Sequence, residues 1–354
     1  MKDNFLITTG GSGGHVIPAT ILCKHLSNKA NVIITTDKRG LRYLDKDVYS
    51  LKVIDTPKLN NIFFLPYKFF IVVFLTIISF LFLKEKKIKK VFSTGGYMSL
   101  PVIFAARLLR IDIYLIEPNQ VLGRANKYFL NFCKKIFCYS DKIKNFPDTL
   151  KKKKIIINPL VKEKIYNLGL LSKKKDVFTL LVVGGSQGAS IFDNNLKNTI
   201  LSISKKNPIK IIQQTSENNI TELRNFYLKH NIKNEIFGFD KNFHLILHQS
   251  DLCITRAGAS TLAELSVLNI PFIAVPLPSS KDNHQFENAD FYVNNGCCWI
   301  IEQNFFEGKI EQILNEILEE RADYQKKKEN LKKINYQNTW NNVNQKILES
   351  INEN

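Results

Sequence analysis

The feature that most constrains the fold is a strand followed by a glycine-rich turn and a helix, which occurs twice. The first copy is NFLITTGGSGGHVIPATILCKHL from residue 4, and the second is VFTLLVVGGSQGAS from residue 177. An apolar strand that runs directly into glycines and a helix is typical of parallel α/β sheets, whose ligands bind at the carboxyl ends of the strands. Two copies predict two doubly wound domains.

Strands and helices alternate through both halves of the chain. Apolar runs such as NVIITT, DIYLIEPN and PIKIIQQT read as strands, and SLPVIFAARLLR reads as a helix. A lysine-rich stretch at 148–176 separates the halves, and 354 residues suit two domains. We predict a first domain at 1–160, a second at 161–337, and a helix at about 338–354 that packs back on the first.

The charge predicts an acidic partner. Lys and Arg number 50 against 32 Asp and Glu, a net charge of +18, which suits nucleic acid, an anionic membrane or a phosphorylated substrate. Lysines dominate and no aromatic–basic stacking motif occurs, which disfavours nucleic acid. The start MKDNFLITT has no apolar run like that of a secretory signal, and six cysteines without a CxxC pair predict buried thiols in the reducing cytoplasm.

One segment does not fit a soluble sheet. Residues 69–83 are apolar on every helical face, and a helix of 15 residues spans roughly 22 Å, less than the roughly 30 Å of a hydrocarbon core. A helix buried in the core and a helix that docks on a membrane both remain open, and a membrane span is the least favoured interpretation. A basic cluster follows directly and favours docking: Lys84, Lys86, Lys87, Lys89 and Lys90.

The first glycine turn, at 10–14, predicts a phosphate site, because glycine lets backbone amides approach an anion closely. No stretch matches the Walker pattern GxxxxGK[ST]. The dinucleotide pattern GxGxxG fails at Val16, although Asp37 lies near the expected acidic position, so that interpretation is weakened without being excluded. We expect Pro18 in the first turn of the following helix.

His15 has two interpretations. It caps the turn through a backbone carbonyl, or it acts as a general base at the mouth of the ligand crevice. No second histidine lies at a metal-ligand spacing, which disfavours a metal role.

Two segments of the second half carry similar alternatives. In TRAGASTLAELSVL, Thr261 and Glu264 have the spacing of a capping box, and a carboxylate at this helix start also suits ribose hydroxyls. In PLPSSKDNHQFENA, Asn283 and Gln285 either read sugar hydroxyls or belong to a solvated loop.

Taken together, the motifs GGSGGHVIP, STGGYMSLP, EPN, GGSQGA, RAGASTLAEL and KDNHQFENA resemble the MurG family of peptidoglycan N-acetylglucosaminyltransferases over nearly the whole chain. The resemblance implies an α/β GT-B fold, with two Rossmann-like domains facing a central cleft. It implies a hexosyltransferase that moves N-acetylglucosamine, with inversion, from UDP-N-acetylglucosamine to the C4 hydroxyl of N-acetylmuramic acid in lipid I, giving lipid II. No cofactor is expected, because helix N-termini can stabilise the leaving diphosphate in place of a metal ion.

The resemblance also implies partners and a location. The first domain would take the polyprenyl-diphosphate-linked acceptor and the second UDP-N-acetylglucosamine, with no role for nucleic acid. The enzyme would be peripheral, bound to anionic lipid on the cytoplasmic face of the plasma (inner) membrane, and would serve cell-wall biogenesis, cell shape and cell division. We expect the docking side chains to be Phe74, Ile77 and Phe80.

By resemblance, His15 is the general base of the reaction. The remaining matched positions are implied donor-binding residues: Ser12, Gly13, Gly14, Asn119, Ser186, Gln187, Phe239, Asp240, Ala259, Ser260, Thr261, Leu262, Ala263, Glu264 and Gln285. Phe239 and Asp240 would recognise uracil, Glu264 the ribose, and Gln285 the sugar.

The chain departs from the family pattern at a few positions. Ile116 and Pro118 replace residues of the usual HEQN, His284 replaces a glutamine, and Lys162 stands one residue from the expected arginine. The competing functions are a GT-B transferase for another lipid such as diacylglycerol, a UDP-sugar epimerase, and a non-catalytic UDP-sugar-binding membrane subunit.

Overall fold

The computed structural model describes residues 2–57, 65–169, 177–184, 190–240 and 242–353, with the main chain alone at 65 and 66. It divides into two compact units. Unit 1 comprises Met1–Leu160 with Asn341–Asn354, and unit 2 comprises Val161–Trp340. The chain therefore leaves unit 1, builds all of unit 2, and returns.

The sheet of unit 1 is parallel throughout, with the strand order β3-β2-β1-β4-β5-β6-β7. The later residues of its central strands are buried because helices cover both faces of the sheet. The strands are β1 Asp3–Thr8, β2 Ala30–Thr36, β3 Ser50–Val53, β4 Ile88–Ser93, β5 Asp112–Glu117, β6 Lys135–Cys138 and β7 Lys154–Ile156. The order reverses between β1 and β4, and such a switch point is where open α/β sheets bind ligands.

Helices form most of the crossover connections that join these parallel strands. They are α1 Gly13–Leu26, α2 Lys38–Leu41, α3 Leu65–Glu85, α4 Leu100–Leu108 and α5 Arg124–Phe129, with short 3-10 helices at Tyr97–Ser99 and Asp148–Lys153. The core between α3, α4 and the sheet includes Leu83, Val91, Ile103 and Leu115, each at most 1% exposed.

Helix α3 is longer than the sequence predicts, at 21 residues instead of 15. It begins before Pro66 and continues through Lys68, because a proline in the first turn of a helix gives up no intrahelical hydrogen bond. Its length is about 32 Å. By length and composition alone, Tyr67–Glu85 could cross a membrane.

The sheet of unit 2 is also parallel throughout, with the order β10-β9-β8-β11-β12-β13 and a switch point between β8 and β11. Its strands are β8 Phe178–Val183, β9 Ile209–Gln214, β10 Lys233–Phe237, β11 Leu252–Thr255, β12 Phe272–Ala274 and β13 Cys298–Ile300. Its helices are α6 Glu163–Gly169, α7 Ser190–Asn195, α8 Lys197–Ser204, α9 Ile220–Lys229, α10 Phe243–His248, α11 Ala259–Val267, α12 His284–Asn294, α13 Phe306–Glu319 and α14 Arg321–Ile334. Short 3-10 helices lie at Glu217–Asn219, Lys281–Asn283 and Gln303–Phe305.

The last helix, α15 Trp340–Asn352, belongs almost entirely to unit 1. Its final carbonyls are bound by side chains from the sheet of unit 1. Lys90 Nζ donates to Ile351 O at 2.5 Å, Lys135 Nζ donates to Ser350 O at 3.0 Å, and the Tyr114 hydroxyl donates to Ile351 O at 3.3 Å. Cations and donors at a helix C-terminus satisfy carbonyls that have no intrahelical partner.

The two parallel-sheet domains confirm the predicted α/β fold, and all six cysteines are buried. The expected position of Pro18 is wrong. Helix α1 begins at Gly13, so Pro18 is its sixth residue, and the glycines at 13 and 14 form the first turn of the helix.

Candidate functional site

In unit 1, the loops after β1 and β4 meet at the switch point of the sheet. Ser12 is the N-cap of α1 and has an extended backbone. Both Ser12 and Gly14 are exposed at the start of the helix. The loop after β4 contains Gly95 and Gly96, with φ of 85° and 83°. These two positions need glycine, because other residues rarely adopt positive φ.

His15 lies in the first turn of α1, half-buried, and points to the loop after β4. Its Nδ1 lies 2.7 Å from the carbonyl oxygen of Thr94. Because a carbonyl oxygen only accepts, Nδ1 carries the ring hydrogen, and Nε2 of the neutral ring keeps a free lone pair. The Nε2 atom lies 3.7 Å from where a Cβ on Gly96 would be. Nδ1 therefore binds a backbone carbonyl and Nε2 is left with a lone pair, while the role of His15 as a general base stays a prediction.

Asp37 shapes the first glycine turn instead of facing a ribose. Its Oδ1 accepts hydrogen bonds from the Gly11 and Gly40 amides at 2.8 and 2.9 Å, and its Oδ2 accepts from Arg39. Burial alone would raise the pKa of Asp37, but these two amides and the Arg39 guanidinium hold that pKa below its ordinary value. The Asp37 carboxylate is 1% exposed, and the donors that it binds belong to its own loop and the first glycine turn. Because the carboxylate is not available to ribose hydroxyls, Asp37 no longer supports a dinucleotide site.

Glu117 organises the third loop of this edge, and sequence reasoning missed its role. The buried carboxylate accepts from the backbone amide and the side chain of Asn119 at 3.2 and 3.1 Å. It also accepts from Gly123 N at 2.7 Å and from Asn126 Nδ2 at 2.9 Å. Asn126 in turn lies against Gly95, within 3.3 Å of a Cβ at that position. Asn119 is therefore held in a fixed orientation at the same edge as His15, despite the altered IEPN sequence.

In unit 2, the corresponding switch point is formed by the ends of β8 and β11. Ser186 and Gln187, predicted to bind the donor, follow β8 and lie outside the described residues. After β11, Gly258 is the N-cap of α11, with an extended backbone at φ −72° and ψ 130°. Residues Ala259 to Glu264 therefore form the first turns of α11, whose free amides provide positive potential at the sheet edge.

The predicted capping box at Thr261 and Glu264 is wrong. Both residues lie inside α11, which has already begun at Ala259, and no side chain caps it. Glu264 is instead a buried carboxyl, 9% exposed, and desolvation raises its pKa to about 7 while Lys162 and Lys164 oppose the shift. A carboxyl with a strongly perturbed pKa at a ligand-binding edge is a functional candidate.

The segment after β12 is bound to the loop after β11. Gln285 Oε1 accepts from the amides of Ala257 and Leu277 at 3.2 and 3.0 Å. Asn288, which sequence reasoning missed, donates to Ala257 O at 3.2 Å. Gln285 and Asn288 are three residues apart on α12 and so share a helix face, a spacing that could have indicated their joint role. The solvated-loop interpretation is therefore wrong for Gln285, whose Oε1 joins two loops.

Three other predicted positions lie near this edge of unit 2. Phe239 follows β10 and is 78% exposed, as a ring that stacks on a ligand must be. Asp240 Oδ1 accepts from Asn242 N at 2.5 Å, which fixes the turn after Phe239. Asn283 is exposed, has a left-handed backbone at φ 54°, and precedes α12.

Helix α3 has an inner face against the core and an apolar outer face. We define the outer face as the six side chains that are 55–69% exposed, namely Tyr67, Phe69, Phe70, Phe74, Ile77 and Leu81. Val72, Ser79 and Leu83 form the buried inner face. Phe80, also predicted to dock, is half-buried against the core cluster and is less exposed than Phe74 and Ile77. Lys90 does not belong to the exposed basic cluster, because its Nζ binds a carbonyl at the end of α15. The other four lysines of the predicted cluster are exposed, namely Lys84, Lys86, Lys87 and Lys89.

Known proteins are similar to this chain over its full length. The family models for the glycosyltransferase family 28 N-terminal and C-terminal domains match residues 5–138 and 179–340. A relative from Pelagibacter ubique (strain HTCC1062), a UDP-N-acetylglucosamine--N-acetylmuramyl-(pentapeptide) pyrophosphoryl-undecaprenol N-acetylglucosamine transferase, is 47% identical over 100% of both chains. A relative of the same name from Rickettsia felis is 33% identical over 89% of each chain. The crystal structure of Acinetobacter baumannii MurG superposes with a TM-score of 0.75 at 24% identity, covering 94% of this chain and 95% of that one.

Proposed function

Because this chain belongs to glycosyltransferase family 28, and within it to the MurG enzymes, we propose that it makes lipid II for peptidoglycan synthesis. It transfers N-acetylglucosamine from UDP-N-acetylglucosamine to the C4 hydroxyl of N-acetylmuramic acid in undecaprenyl-diphosphate-linked lipid I. The observation that carries the proposal is the 47% identity over the full chain to a transferase of that name. The arrangement of His15 supplies chemistry that suits the reaction.

In unit 1, we assign the acceptor side of the reaction to His15. The C4 hydroxyl gives its proton to Nε2 as its oxygen attacks the anomeric carbon of the donor sugar. The bond from that carbon to the diphosphate breaks, and UDP leaves with the bonding electron pair from the opposite face. The Thr94 carbonyl at 2.7 Å orients the ring and stabilises the hydrogen on Nδ1 as the imidazolium forms. Inversion at the anomeric carbon gives a β-1,4 bond.

In unit 2, we assign donor binding to the edge formed by β8, β11 and β12. The free amides at the start of α11 suit the diphosphate, which gains charge as the sugar leaves. Glu264 accepts hydrogen bonds from the ribose hydroxyls, Phe239 stacks on uracil, and the Asp240 backbone reads the base. Gln285 offers its Nε2 amide to the sugar while its Oε1 holds the two loops. Ser186 and Gln187 complete the proposed donor set.

We propose that the enzyme is peripheral on the cytoplasmic membrane surface and docks through the outer face of α3. A polyprenyl acceptor stays in the bilayer, so the protein must reach it there. The outer face supplies apolar contact, and the exposed Lys84, Lys87 and Lys89 supply attraction to anionic lipid at roughly 1 kcal/mol each. The inner face of α3 packs against the core of unit 1, which favours docking over a span.

Replacing Phe70, Phe74 and Ile77 together with serine should lower the partition coefficient onto anionic vesicles at least about 100-fold. Burying a large apolar side chain contributes roughly 1.5–3 kcal/mol, and these three are exposed in the protein, so the fold should be unaffected. Vesicle co-sedimentation measures the effect. The matched control replaces three exposed side chains of unit 2, Leu228, Phe305 and Tyr336, and should bind like the unmodified protein. Equal binding by the α3 variant would rule out docking through this face.

The function itself is tested with labelled UDP-N-acetylglucosamine and lipid I. We expect label in the lipid product, and a β-1,4 linkage between the two sugars. Diacylglycerol in place of lipid I separates the nearest competing transferase, and free UDP-N-acetylmannosamine as product would indicate an epimerase. Absence of transfer to lipid I by the unmodified protein on vesicles would overturn the proposal.

A further inference from the structure

Arg39, a residue of unit 1 to which no role is assigned above, is held rigidly beside the first glycine turn. Its Nε and one terminal nitrogen donate to Asp37 Oδ2 at 2.9 and 2.6 Å, and that terminal nitrogen also contacts the Tyr97 hydroxyl. The guanidinium carbon lies 5.3 Å from the centre of the Tyr97 ring. Asp37 is itself fixed by the Gly11 and Gly40 amides. The side chain is 39% exposed and yet has one orientation.

These contacts use three of the five N–H donors of the guanidinium. Within residues 2–57, 65–169, 177–184, 190–240 and 242–353, the second terminal nitrogen of Arg39 has no hydrogen-bond partner. Its two donors therefore remain available for a ligand. The two N–H groups of this one nitrogen can donate to oxygens of a phosphate or carboxylate, and prior immobilisation reduces the entropy lost on binding.

The guanidinium of Arg39 lies beside the first glycine turn, at the same sheet edge as His15. A Cβ on Gly11 would be 3.5 Å from the guanidinium and 2.8 Å from Met98 Cε. A Cβ on Gly96 would be 2.8 Å from the same methyl and 3.7 Å from His15 Nε2. The buried Met98 thus packs between the two glycine turns, one beside Arg39 and the other beside His15.

We propose that Arg39 binds the diphosphate of the lipid acceptor. In that acceptor the diphosphate is attached at C1 of N-acetylmuramic acid, across the ring from the C4 hydroxyl that His15 deprotonates. The assignment rests on the proposed function. A carboxylate of the acceptor peptide has the same oxyanion chemistry, so the test below separates the two sources.

The kinetic test compares Arg39→Gln, Arg39→Lys and Lys38→Gln. A lost hydrogen bond to a charged group corresponds to roughly 1.5–3 kcal/mol, so Arg39→Gln should raise the acceptor KM about 10- to 150-fold. The donor KM should stay unchanged. Arg39→Lys should give an acceptor KM between those of the unmodified protein and Arg39→Gln, since lysine keeps the charge without the planar, pre-oriented donors. Lys38 is the neighbouring residue of α2, exposed and paired with Asp55 at 3.3 Å, so Lys38→Gln is the matched charge control and should leave both KM values unchanged.

The source of the oxyanion is tested with an acceptor whose peptide carboxylates are amidated. The effect of Arg39→Gln on the acceptor KM should persist with this acceptor. Its disappearance would assign Arg39 to a peptide carboxylate and overturn the diphosphate proposal. A rise in donor and acceptor KM by the same factor, with a lower Tm, would show that Arg39 only supports the loop.

A binding measurement separates this proposal from the proposed function. Inorganic pyrophosphate, titrated calorimetrically into the whole protein with UDP saturating the proposed donor site of unit 2, should bind at least about 10-fold more weakly to Arg39→Gln than to Lys38→Gln. Equal pyrophosphate affinity in the two variants would overturn the proposal, whether or not the protein transfers sugar. Failure of transfer with intact pyrophosphate discrimination would instead overturn the transferase assignment and keep the Arg39 site.

Discussion

Replacing His15 with asparagine should lower kcat by about 10²- to 10⁴-fold, the range that general base catalysis contributes. Asparagine is chosen because its side-chain amide can take the place of Nδ1–H and donate to the Thr94 carbonyl. The loop contact is then kept, and only the lone pair of Nε2 is removed. The rate of label transfer from UDP-N-acetylglucosamine to lipid I at saturating substrates measures the effect.

The matched control for this variant is His230→Asn. His230 also lies next to a helix carbonyl, with Nδ1 2.8 Å from Phe226 O, but it belongs to the end of α9 in unit 2. Its substitution should leave kcat unchanged. If His15→Asn retains full activity with unchanged donor affinity, His15 is a structural residue and another group accepts the proton.

Replacing Glu264 with glutamine should stabilise the protein at pH 8 and weaken donor binding. Burial raises the pKa of Glu264 from 4.5 to about 7, so the ionised carboxylate is unfavourable in the folded protein. A raised pKa gives a stabilising contribution that is complete below about pH 4.5 and is lost as the pH rises through 7. At pH 8 the ionised carboxylate lowers the free energy of unfolding by about 3 kcal/mol. Glutamine has no charge to desolvate, so the variant does not lose this stability.

We therefore expect Glu264→Gln to raise the Tm of unit 2 by roughly 5–10 °C at pH 8, with little difference at pH 5. Thermal melts at both pH values measure this. The control is Glu311→Gln on α13, where the carboxylate accepts from the Ser202 hydroxyl at 2.6 Å, and no comparable gain should occur there. A gain of the same size at pH 5 would contradict the electrostatic cause.

The same Glu264 variant should raise the Kd for UDP-N-acetylglucosamine about 10- to 150-fold at pH 8, because a charged acceptor for the ribose hydroxyls is lost. In the unmodified protein the donor KM should rise as the pH falls below 7, and in the variant it should vary little. Unchanged donor affinity in Glu264→Gln would exclude the ribose role. Stability and binding would thus move in opposite directions at one residue, as is common where a ligand site contains a buried charge.

The sheets could be predicted from the sequence because buried parallel strands are continuous apolar runs. The strand β3, SLKV, has no such run because it lies at the sheet edge. Three of its four side chains are exposed, so these positions do not require apolar residues. The start of α11 was misplaced for a different reason. Threonine and glutamate three residues apart have capping-box spacing at any point of a helix, and only the extended backbone of Gly258 decides where α11 begins.

The contacts of the candidate site could not be predicted from the sequence. The partner of His15 is Thr94, 79 residues away, and the pairing follows from the adjacency of β1 and β4. Asp37 and Glu117 hold the loops through backbone amides, which every residue possesses and no pattern reveals. In α3, residues 69–83 are almost uniformly apolar, so the pattern could not indicate which face packs and whether Phe80 is outside. The buried Ser79, whose hydroxyl donates to Leu75 O at 2.7 Å, lies on the inner face where a polar residue was least expected.

The return of α15 to unit 1 has a consequence for biosynthesis. Unit 2 is one continuous segment and has all of its residues once the ribosome has passed Trp340. Unit 1 is still incomplete at that moment, because Lys90, Tyr114 and Lys135 have not yet met the carbonyls of Ser350 and Ile351. The portion of the molecule that is translated first is therefore completed only by the residues that are translated last. The outer face of α3 emerges early in this interval, so membrane attachment during translation would shelter its apolar side chains while unit 1 awaits its last helix.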